Sequence, residues 1–260
     1  MRITLLGCGG SGGVPLPDGS PGGNWGACDP TEPKNRRTRV SVLVEEAGRR
    51  LLIDTSPDLR EQLMAQGVPG LHASIFTHAH ADHSHGLDDL RALTYRQGAP
   101  IPAYMDRSTR KTLTSRFDYA FVSSHTGARL YPALMQDHEI KVARPFQAAG
   151  FEVLAIRQDH GNVHSLGFRI GGFAYSTDVV ALDETAFAAL ADLDLWVVDC
   201  LRYEPHPTHS HFASTLEWIR RLKPKRAVLT HLNQSVDYAR LKADCPPGVE
   251  PGWDGMTIDL

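Results

Sequence analysis

Apolar residues recur along the chain in short runs, each bounded by glycine, proline or small polar residues. Runs of this length, rich in Val, Ile, Leu and Phe, are typical of β-strands. Glycine-containing connections, 45–49 and Gly171-Gly172, join two pairs of these runs and predict hairpins. The predicted strands are residues 2–6, 40–44, 50–54, 74–77, 101–104, 151–156, 166–170, 173–177, 195–199 and 226–229.

Segments with a helical pattern lie between these strands. Ser56 and Gly67 stand where the cap and the stop of a first helix are expected, and Ser108 is predicted to cap another. The glycine- and proline-rich segment 7–26 is predicted to be loop, and 122–144 shows no clear period. The predicted helices are residues 57–66, 87–97, 108–121, 183–191 and 212–222.

This succession of strands and helices predicts a layered α/β architecture with helices on the outer faces of the sheets. No repeat or low-complexity linker divides the 260 residues, so residues 1–260 are predicted to form one domain. Hydrophobic residues make up 42% of the chain and charged residues 22%. These values are ordinary for a globular protein and exclude a disordered chain.

The charge and the distribution of apolar residues limit the partners. The formal net charge of -3 leaves no basic surplus, so duplex nucleic acid is not a predicted partner. Neither a long apolar span nor a secretory signal pattern is seen, so no membrane partner is predicted and a cytoplasmic location is expected. The four cysteines are scattered and are expected to be reduced thiols.

A dense group of histidines follows one of the apolar strands. The segment reads Thr77-His78-Ala79-His80-Ala81-Asp82-His83. Alternate side chains of an extended backbone share a face, so His78 and His80 can bind one cation. Asp82 and His83 come where the chain turns into a helix and can reach a second cation. The alternative is a solvated, inert run of surface histidines.

Four side chains cannot complete two metal sites, so further ligands are expected at the ends of other strands. His160, Asp178 and His231 each follow a predicted strand. Imidazole and carboxylate are ligands that zinc, manganese and iron all accept. A single histidine after a strand is more often structural, but these three residues together with the histidine motif favour metal ligands.

The motif, followed in order by His160, Asp178 and His231, resembles the metallo-β-lactamase superfamily. Similarity to one branch comes from the start, Leu6-Gly7-Cys8-Gly9-Gly10-Ser11-Gly12-Gly13-Val14-Pro15, and from Leu229-Thr230-His231. That branch contains phosphoribosyl cyclic-phosphate phosphodiesterases and tRNA 3′-processing endonucleases. The resemblance implies an αβ/βα sandwich of two mixed sheets flanked by helices, with a dinuclear metal centre.

The resemblance also implies how the ligands divide. One ion would be held by His78, His80 and His160, the other by Asp82, His83 and His231, with Asp178 bridging them. A further histidine of the family acts near the leaving group, and His209 matches it best. His206 and His211 are the alternatives for this role. Both are also predicted to lie in the substrate site.

Two departures from that branch bear on the substrate. Its phosphoribosyl enzyme has a structural zinc on closely spaced cysteines, whereas loop 22–29 retains only Cys28, and Gln234 replaces an expected histidine. The structural zinc is therefore not predicted. The long inserted arm of the tRNA-processing enzymes is not seen either, which disfavours specific tRNA cleavage.

Other polar residues near these motifs have two interpretations each. Arg36 and Arg37, in the basic run 34–39, could bind a substrate phosphate or could belong to a solvated surface. His85 and Asp88 could orient ligand imidazoles, or Asp88 could cap the next helix.

Two divalent ions, zinc or manganese with iron as a further option, can lower the pKa of a shared water and make hydroxide available. The predicted function is a dinuclear metal-dependent hydrolase, a phosphodiesterase for small, cyclic ribose or nucleotide-like phosphodiesters. Asp82 would fix the ions and His209 would protonate the leaving group. The alternatives are a lactone or thioester hydrolase and a metal-binding module without turnover.

Trp25 or Trp253 could serve a homodimer interface.

Overall fold

The computed structural model describes residues 1–122 and 132–260, in which two seven-stranded sheets carry helices on both outer sides. The strands are β1 Arg2–Gly7, β2 Ser41–Glu46, β3 Arg49–Ile53, β4 Ala73–Ile75, β5 Ile101–Met105, β6 Met135–Glu139, β7 Pro145–Ala148, β8 Phe151–His160, β9 Val163–Ile170, β10 Phe173–Ser176, β11 Leu195–Asp199, β12 Arg226–Thr230, β13 Val249–Pro251 and β14 Met256–Asp259. The helices are α1 Leu59–Ala65, α2 Ala81–Ser84, α3 Arg91–Gln97, α4 Arg107–Arg116, α5 Asp118–Phe121, α6 Glu184–Ala189, α7 Phe212–Leu222 and α8 Tyr238–Asp244, with 3-10 turns at Pro33–Asn35 and Leu87–Leu90.

The two sheets have the same plan. The first has the strand order β14-β1-β2-β3-β4-β5-β6 and the second β13-β12-β11-β10-β9-β8-β7. In the first sheet, pairs from β14 to β3 are antiparallel and pairs from β3 to β6 are parallel. In the second, pairs from β7 to β10 are antiparallel and those from β10 to β13 are parallel. The predicted fold, two mixed sheets flanked by helices, is confirmed.

The central strands are apolar on both faces because each face is covered. In β3, Leu51 and Ile53 enter the core between the sheets, whereas Leu52 faces the helices outside the first sheet. In β11, Val197 enters the same central core and Trp196 packs against the helices outside the second sheet. Alternate side chains of a strand point to opposite faces, so these apolar runs fill three layers of core at once.

The helix expected at 212–222 has the predicted bounds, and the other four differ from theirs. The segment 87–97 is a 3-10 turn followed by α3, and 183–191 contains the shorter α6. The helix expected at 57–66 begins at Leu59, because the Ser56 hydroxyl donates to the Gln62 side chain instead of capping the helix. The helix expected at 108–121 begins one residue earlier, with Asp106 as the cap that accepts from the Thr109 amide. It is interrupted at Phe117, whose backbone leaves the helical conformation with φ -124° and ψ 44°.

Some strands also differ from their predicted bounds. The strand expected at 74–77 is Ala73–Ile75 and ends two residues early. β8 runs on to His160 and pairs with β9 along its length, so His160 is the last residue of a strand rather than the residue after one. The segment 122–144, which showed no period, contains β6, and its residues 123–131 lie outside the described part of the chain. Helix α8 and strands β7, β13 and β14 were not predicted.

Parallel strands end at the same edge of a sheet, and this edge is where side chains from distant parts of the chain meet. Strands β3 and β4 of the first sheet and β10, β11 and β12 of the second have their carboxyl ends there. Among the residues that the structure describes, no helix is long and apolar enough to cross a membrane. One domain over residues 1–260 stays a prediction.

Asp254, just before β14, ties the glycine-rich start of the chain to the segment that follows it. Its carboxylate accepts from the backbone amide of Cys8 at 3.0 Å, and from the amide and hydroxyl of Thr38 at 2.7 and 2.6 Å. Removing an acceptor leaves buried donors unpaired, which costs about 1–3 kcal/mol.

We therefore expect Asp254→Ala to lower the free energy of unfolding by about 1–3 kcal/mol in denaturant titrations. Asp259→Ala is the control, because that carboxylate pairs with Arg2 on the surface at 2.9 Å and is 68% exposed. The control should leave the midpoint unchanged. Equal stabilities for the two variants would contradict the role given to Asp254.

Candidate metal centre

The predicted ligands lie at the strand ends of both sheets. His78 follows β4, and His83 lies in the short helix α2. From the second sheet come His160, which ends β8, Asp178, two residues after β10, and His231, directly after β12. The structure thus brings together residues from distant parts of the sequence at one edge of the sandwich.

A first group of possible ligands consists of His78, His80, His160 and Asp178. Asp178 Oδ1 lies 3.8 Å from His78 Nε2 and 3.5 Å from His160 Nε2. His160 Nε2 is 3.3 Å from His80 Nδ1. One ligand atom from each residue lies within 4.8 Å of the others, which is close enough for all four to bind a single ion.

A second group consists of Asp82, His83, Asp178 and His231. Asp178 Oδ2 lies 3.0 Å from His83 Nε2 and 3.4 Å from His231 Nε2. The Asp82 carboxylate is 3.3 Å and 3.6 Å from the same two nitrogens. Asp178 belongs to both groups and presents a different oxygen to each, which is the arrangement that a bridging carboxylate needs.

Two of the imidazoles are fixed by a hydrogen bond on the side away from the cluster. His83 Nδ1 lies 2.8 Å from Asp54 Oδ2, and His160 Nδ1 lies 2.7 Å from the carbonyl oxygen of Thr208. An acceptor on Nδ1 holds the proton there and leaves Nε2 free as a metal ligand. His83 and His160 are therefore held in the tautomer that a metal site requires.

Buried nitrogens without partners test whether the residues fit a metal ion. The Nε2 atoms of His78, His83 and His231 are buried and make no hydrogen bond. Buried polar atoms are nearly always paired, so three such nitrogens converging on one carboxylate need a ligand between them. Imidazole and carboxylate donors suit a divalent transition metal, and the donor set fits the ions expected from the sequence.

In the second group, the carboxylates stabilise positive charge on the histidines. Burial disfavours the charged form of His231, but Asp178, Asp82 and Asp199 outweigh it and raise the pKa of the imidazole to about 9. Burial is likewise outweighed by Asp178, Asp82 and Asp54 at His83, whose pKa is raised well above its usual range. In the first group, burial and the neighbouring His83 lower the pKa of His78.

Three residues at this edge have left-handed backbone conformations that side chains other than glycine seldom adopt. They are Asp54 with φ 62°, Asp178 with φ 53° and His231 with φ 60°. Such conformations cost about 1–3 kcal/mol each and persist where the surrounding structure enforces them. Here each follows a strand and turns a carboxylate or an imidazole into the cluster.

Gly86 allows the motif to pack against the end of β3. The amide of Thr55 donates to the carbonyl of His83 at 2.7 Å, and the amide of Gly86 donates to the carbonyl of Thr55 at 3.0 Å. A Cβ atom at position 86 would lie 1.8 Å from the carbonyl oxygen of Ser56. Only glycine permits this approach, which places His83 beside Asp54.

His209 lies at the edge of the metal-ligand cluster with its own carboxylate partner. Its Nδ1 is 3.0 Å from Asp199 Oδ2, and its Nε2 is 3.8 Å from Asp178 Oδ1. The ring stacks on that of His231 with 4.6 Å between centroids. Asp199, His209 and His231 form a third group of potential ligand atoms within 4.8 Å. The Asp199 carboxylate therefore orients the His209 ring so that Nε2 faces the two ligand groups.

The other two histidines of this segment are placed differently. The His206 ring is 5.1 Å from that of His209, on the outer side of the cluster, and its Nδ1 is 3.3 Å from the amide of Thr208. His211 precedes α7, where Ser214 accepts from its amide at 3.1 Å and lies 3.0 Å from its Nδ1. His211 thus contributes to a helix cap.

The structure does not bring the two predicted phosphate-binding arginines into the cluster. Arg37 is 1% exposed, and its guanidinium donates to the Asn233 carbonyl and the Asn35 side chain, each at 3.1 Å. Arg36 is exposed and lies over the ring of Trp25 at 5.0 Å. Cys28 is buried, with its sulfur 3.8 Å from the Arg37 guanidinium.

His85 and Asp88 lie outside the two ligand groups as well. The His85 ring meets Phe117 edge to face at 5.4 Å, and Asp88 pairs with Arg91 at 2.6 Å. Trp253 is half-buried with Lys34 4.0 Å over its ring.

Sequence reasoning missed Asp54 and Asp199, the carboxylates behind His83 and His209. Both are fully buried, and both stand at the end of an apolar strand. This is the same signal that pointed to Asp178 and His231, so a search of every strand end for ligand-type residues would have found them.

A pocket of about 400 Å³ opens beside the first ligand group. It is bounded by His78 and His80, by α4, and by the turn between β8 and β9. It therefore offers space next to the candidate metal site for a bound substrate.

Residues 49–232 match the family model described as the beta-lactamase superfamily domain. The chain belongs to this superfamily, and the predicted membership is confirmed.

A solved structure, described as a new diphosphatase from the PhnP family, superposes with a TM-score of 0.89 at 30% identity and covers 100% of this chain and 97% of that one. The chain is 32% identical to an octanoyltransferase of Porphyromonas gingivalis (strain ATCC BAA-308 / W83) over 98% of its own length and 51% of that protein. It is 26% identical to ribonuclease Z of Mycobacterium sp. (strain KMS), over 65% of this chain and 57% of that protein. The chain thus spans about half the length of the curated relatives that it matches.

The hydrogen bond behind His83 predicts an effect on metal binding. Asp54→Asn keeps the size of the side chain but removes the charge that holds the imidazole, so we expect zinc affinity to fall about 10- to 100-fold. The measurement is competition with a chromophoric chelator. Asp88→Asn, which removes a carboxylate on the surface, should bind zinc like the wild type. An unchanged affinity in Asp54→Asn would refute the role of Asp54.

Proposed function

We propose that the chain is a dinuclear metal-dependent phosphodiesterase that cleaves small phosphodiesters, including cyclic ribose or nucleotide-like ones. The observation that carries the proposal is the position of Asp178 in both ligand groups, with one oxygen toward each. Two relatives support phosphate chemistry by name, a diphosphatase and ribonuclease Z.

The proposed ligands are those that the resemblance implied. His78, His80 and His160 would hold one ion, Asp82, His83 and His231 would hold the other, and Asp178 would be shared by both groups. When bound, two divalent ions polarise a phosphoryl group and lower the pKa of water so that hydroxide is available near neutral pH. Zinc, manganese and iron all suit these ligands.

The residues of the chain supply the remaining steps. Asp82 and Asp178 would offset the charge of the ions. Asp199 accepts from His209 Nδ1, which keeps the ring oriented and stabilises it when both nitrogens are protonated. His209 Nε2 then donates its proton to the oxygen that leaves the phosphorus. His206, beside His209, borders the place of the departing group.

The surroundings of the site favour a small substrate. The adjoining pocket of about 400 Å³ has room for a compound of roughly nucleotide size rather than for a folded RNA. The net charge of -3 also gives no general attraction for a duplex. A homodimer and a cytoplasmic location remain parts of the proposal.

The function can be tested with purified protein loaded with zinc or manganese. We expect about two metal ions per chain, hydrolysis of bis(p-nitrophenyl) phosphate and of a cyclic ribose phosphate, and no hydrolysis of an acyl lactone. Asp178→Ala should abolish turnover and lower the metal content. Hydrolysis of the lactone alone would support an acyl hydrolase instead, and no hydrolysis of any compound would support a binding module.

The role of His209 gives a separate prediction. His209→Ala should lower kcat for bis(p-nitrophenyl) phosphate about 100- to 10,000-fold while the metal content stays the same, because a positioned proton donor is lost. His211→Ala, a change in the cap of α7, is the matched control and should retain nearly full activity. Full activity in His209→Ala would move the proton donor to His206.

A further inference from the structure

The pocket beside the first ligand group has a polar wall that the proposed chemistry does not use. Ser108, Thr112 and Arg116 line it from helix α4. These residues are four positions apart, so they follow one face of the helix. The wall therefore offers two hydroxyl groups and, at the end nearest the metal ligands, a guanidinium.

The opposite wall is formed by Asn162, in the turn between β8 and β9, and by His164 near the start of β9. His164 Nε2 lies 2.7 Å from Asp106 Oδ2, and the other oxygen of Asp106 accepts from the Thr109 amide at 2.8 Å. One carboxylate thus joins both walls, which fixes the width of the pocket.

Among the described residues, Arg116 lines this pocket and also contacts the histidine motif. Its Nη1 donates at 2.6 Å to the carbonyl of Ala79, which stands between His78 and His80. A guanidinium has five N–H donors, so this bond orients the group and leaves others available. Within the described residues Arg116 has no carboxylate partner. By contrast, Arg110 on the same helix pairs with Asp137 and Glu139.

The guanidinium of Arg116 is oriented and has no carboxylate partner among the described residues, and hydroxyl groups lie beside it. This arrangement suits the binding of an anion. Guanidinium binds carboxylate and phosphate strongly, often through two parallel hydrogen bonds. The hydrogen bond to Ala79 holds the guanidinium of Arg116 close to His78 and His80, the two predicted metal ligands on either side of Ala79. A substrate whose phosphodiester sits at the ions can therefore extend an anionic arm to Arg116.

We propose that Arg116 is a specificity-determining residue that selects phosphodiesters carrying a second anionic group, a carboxylate or a phosphate, on the arm that enters this pocket. The inference rests on the proposed phosphodiesterase function. Arg116 takes part in recognition of the substrate, and the Asp106–His164 pair positions the wall opposite to it.

The test uses p-nitrophenyl phosphodiesters that share the leaving group and differ in the second arm. The arm ends in a carboxylate, a hydroxyl or a trimethylammonium group. The wild type should show the highest kcat/KM for the carboxylate arm and the lowest for the cationic arm. In Arg116→Gln, kcat/KM for the carboxylate arm should fall about 10- to 100-fold, mainly through KM, with little change for the hydroxyl arm.

Matched variants separate recognition from structural damage. Arg116→Lys should recover part of the preference for the anionic arm, because the charge is kept. Arg110→Gln removes a guanidinium from the same helix outside the pocket and should behave like the wild type. Metal content is measured for each variant, since Arg116 also contacts the carbonyl of Ala79. An equal loss on all three arms would assign Arg116 a structural role and overturn the proposal.

A binding measurement keeps this proposal distinct from the proposed function. Calorimetry should show 3-phosphonopropionate binding to the metal-loaded wild type at least about 10-fold more tightly than propylphosphonate, and Arg116→Gln should remove the difference. Equal binding of the two compounds, or no binding of either, overturns the role of Arg116. Preferential binding without hydrolysis of any diester would overturn the phosphodiesterase and leave the anion subsite standing.

Discussion

A carboxylate buried among imidazoles is stable only when positive charge is buried with it. Asp178 is 1% exposed and has His78, His83, His160 and His231 within 3.8 Å. Without a cation, protons on His83 and His231 supply that charge, which is why carboxylates raise their pKa despite burial. Divalent ions would supply the same charge and would take the unpaired nitrogens as ligands. Much of the architecture around the site serves to bring these groups to one point.

The sandwich meets that demand through its strand order. In each sheet the parallel strands have their carboxyl ends at the same edge, and these two edges lie on the same side of the molecule. Ligands separated by more than a hundred residues, such as His78 and His231, become neighbours because strands end there, and no long loop is needed. Rigid strand ends hold a metal site more accurately than flexible loops would.

The parts of this structure that sequence could predict are those with a local signal. The motif at 77–83 is contiguous, and His160, Asp178 and His231 follow apolar strands, so their chemistry could be recognised before their positions were known. The edge strands β13 and β14 are short, and β13 ends in a proline, so neither has a clear strand pattern. The break at Phe117 depends on tertiary packing, which local propensity does not record.

Polar residues whose role depends on burial were the hardest to predict. Arg37 lies in a run of basic residues that is typical of a surface, yet its guanidinium is enclosed and paired with Asn35 and Asn233. Asp54 and Asp199 are ordinary strand-end carboxylates in the sequence, and only the fold places an imidazole against each. A hydrogen-bond partner from another segment cannot be read from the residues beside it.

The left-handed backbone at Asp54, Asp178 and His231 has a consequence for how this protein changes over time. Glycine adopts these backbone angles without strain. Under selection for stability alone, glycine would therefore be favoured at these three positions. Asp54, Asp178 and His231 therefore mark positions where the function of the side chain lowers the stability of the fold. Glycine at any of the three in a relative would be a sign that the site has fallen out of use.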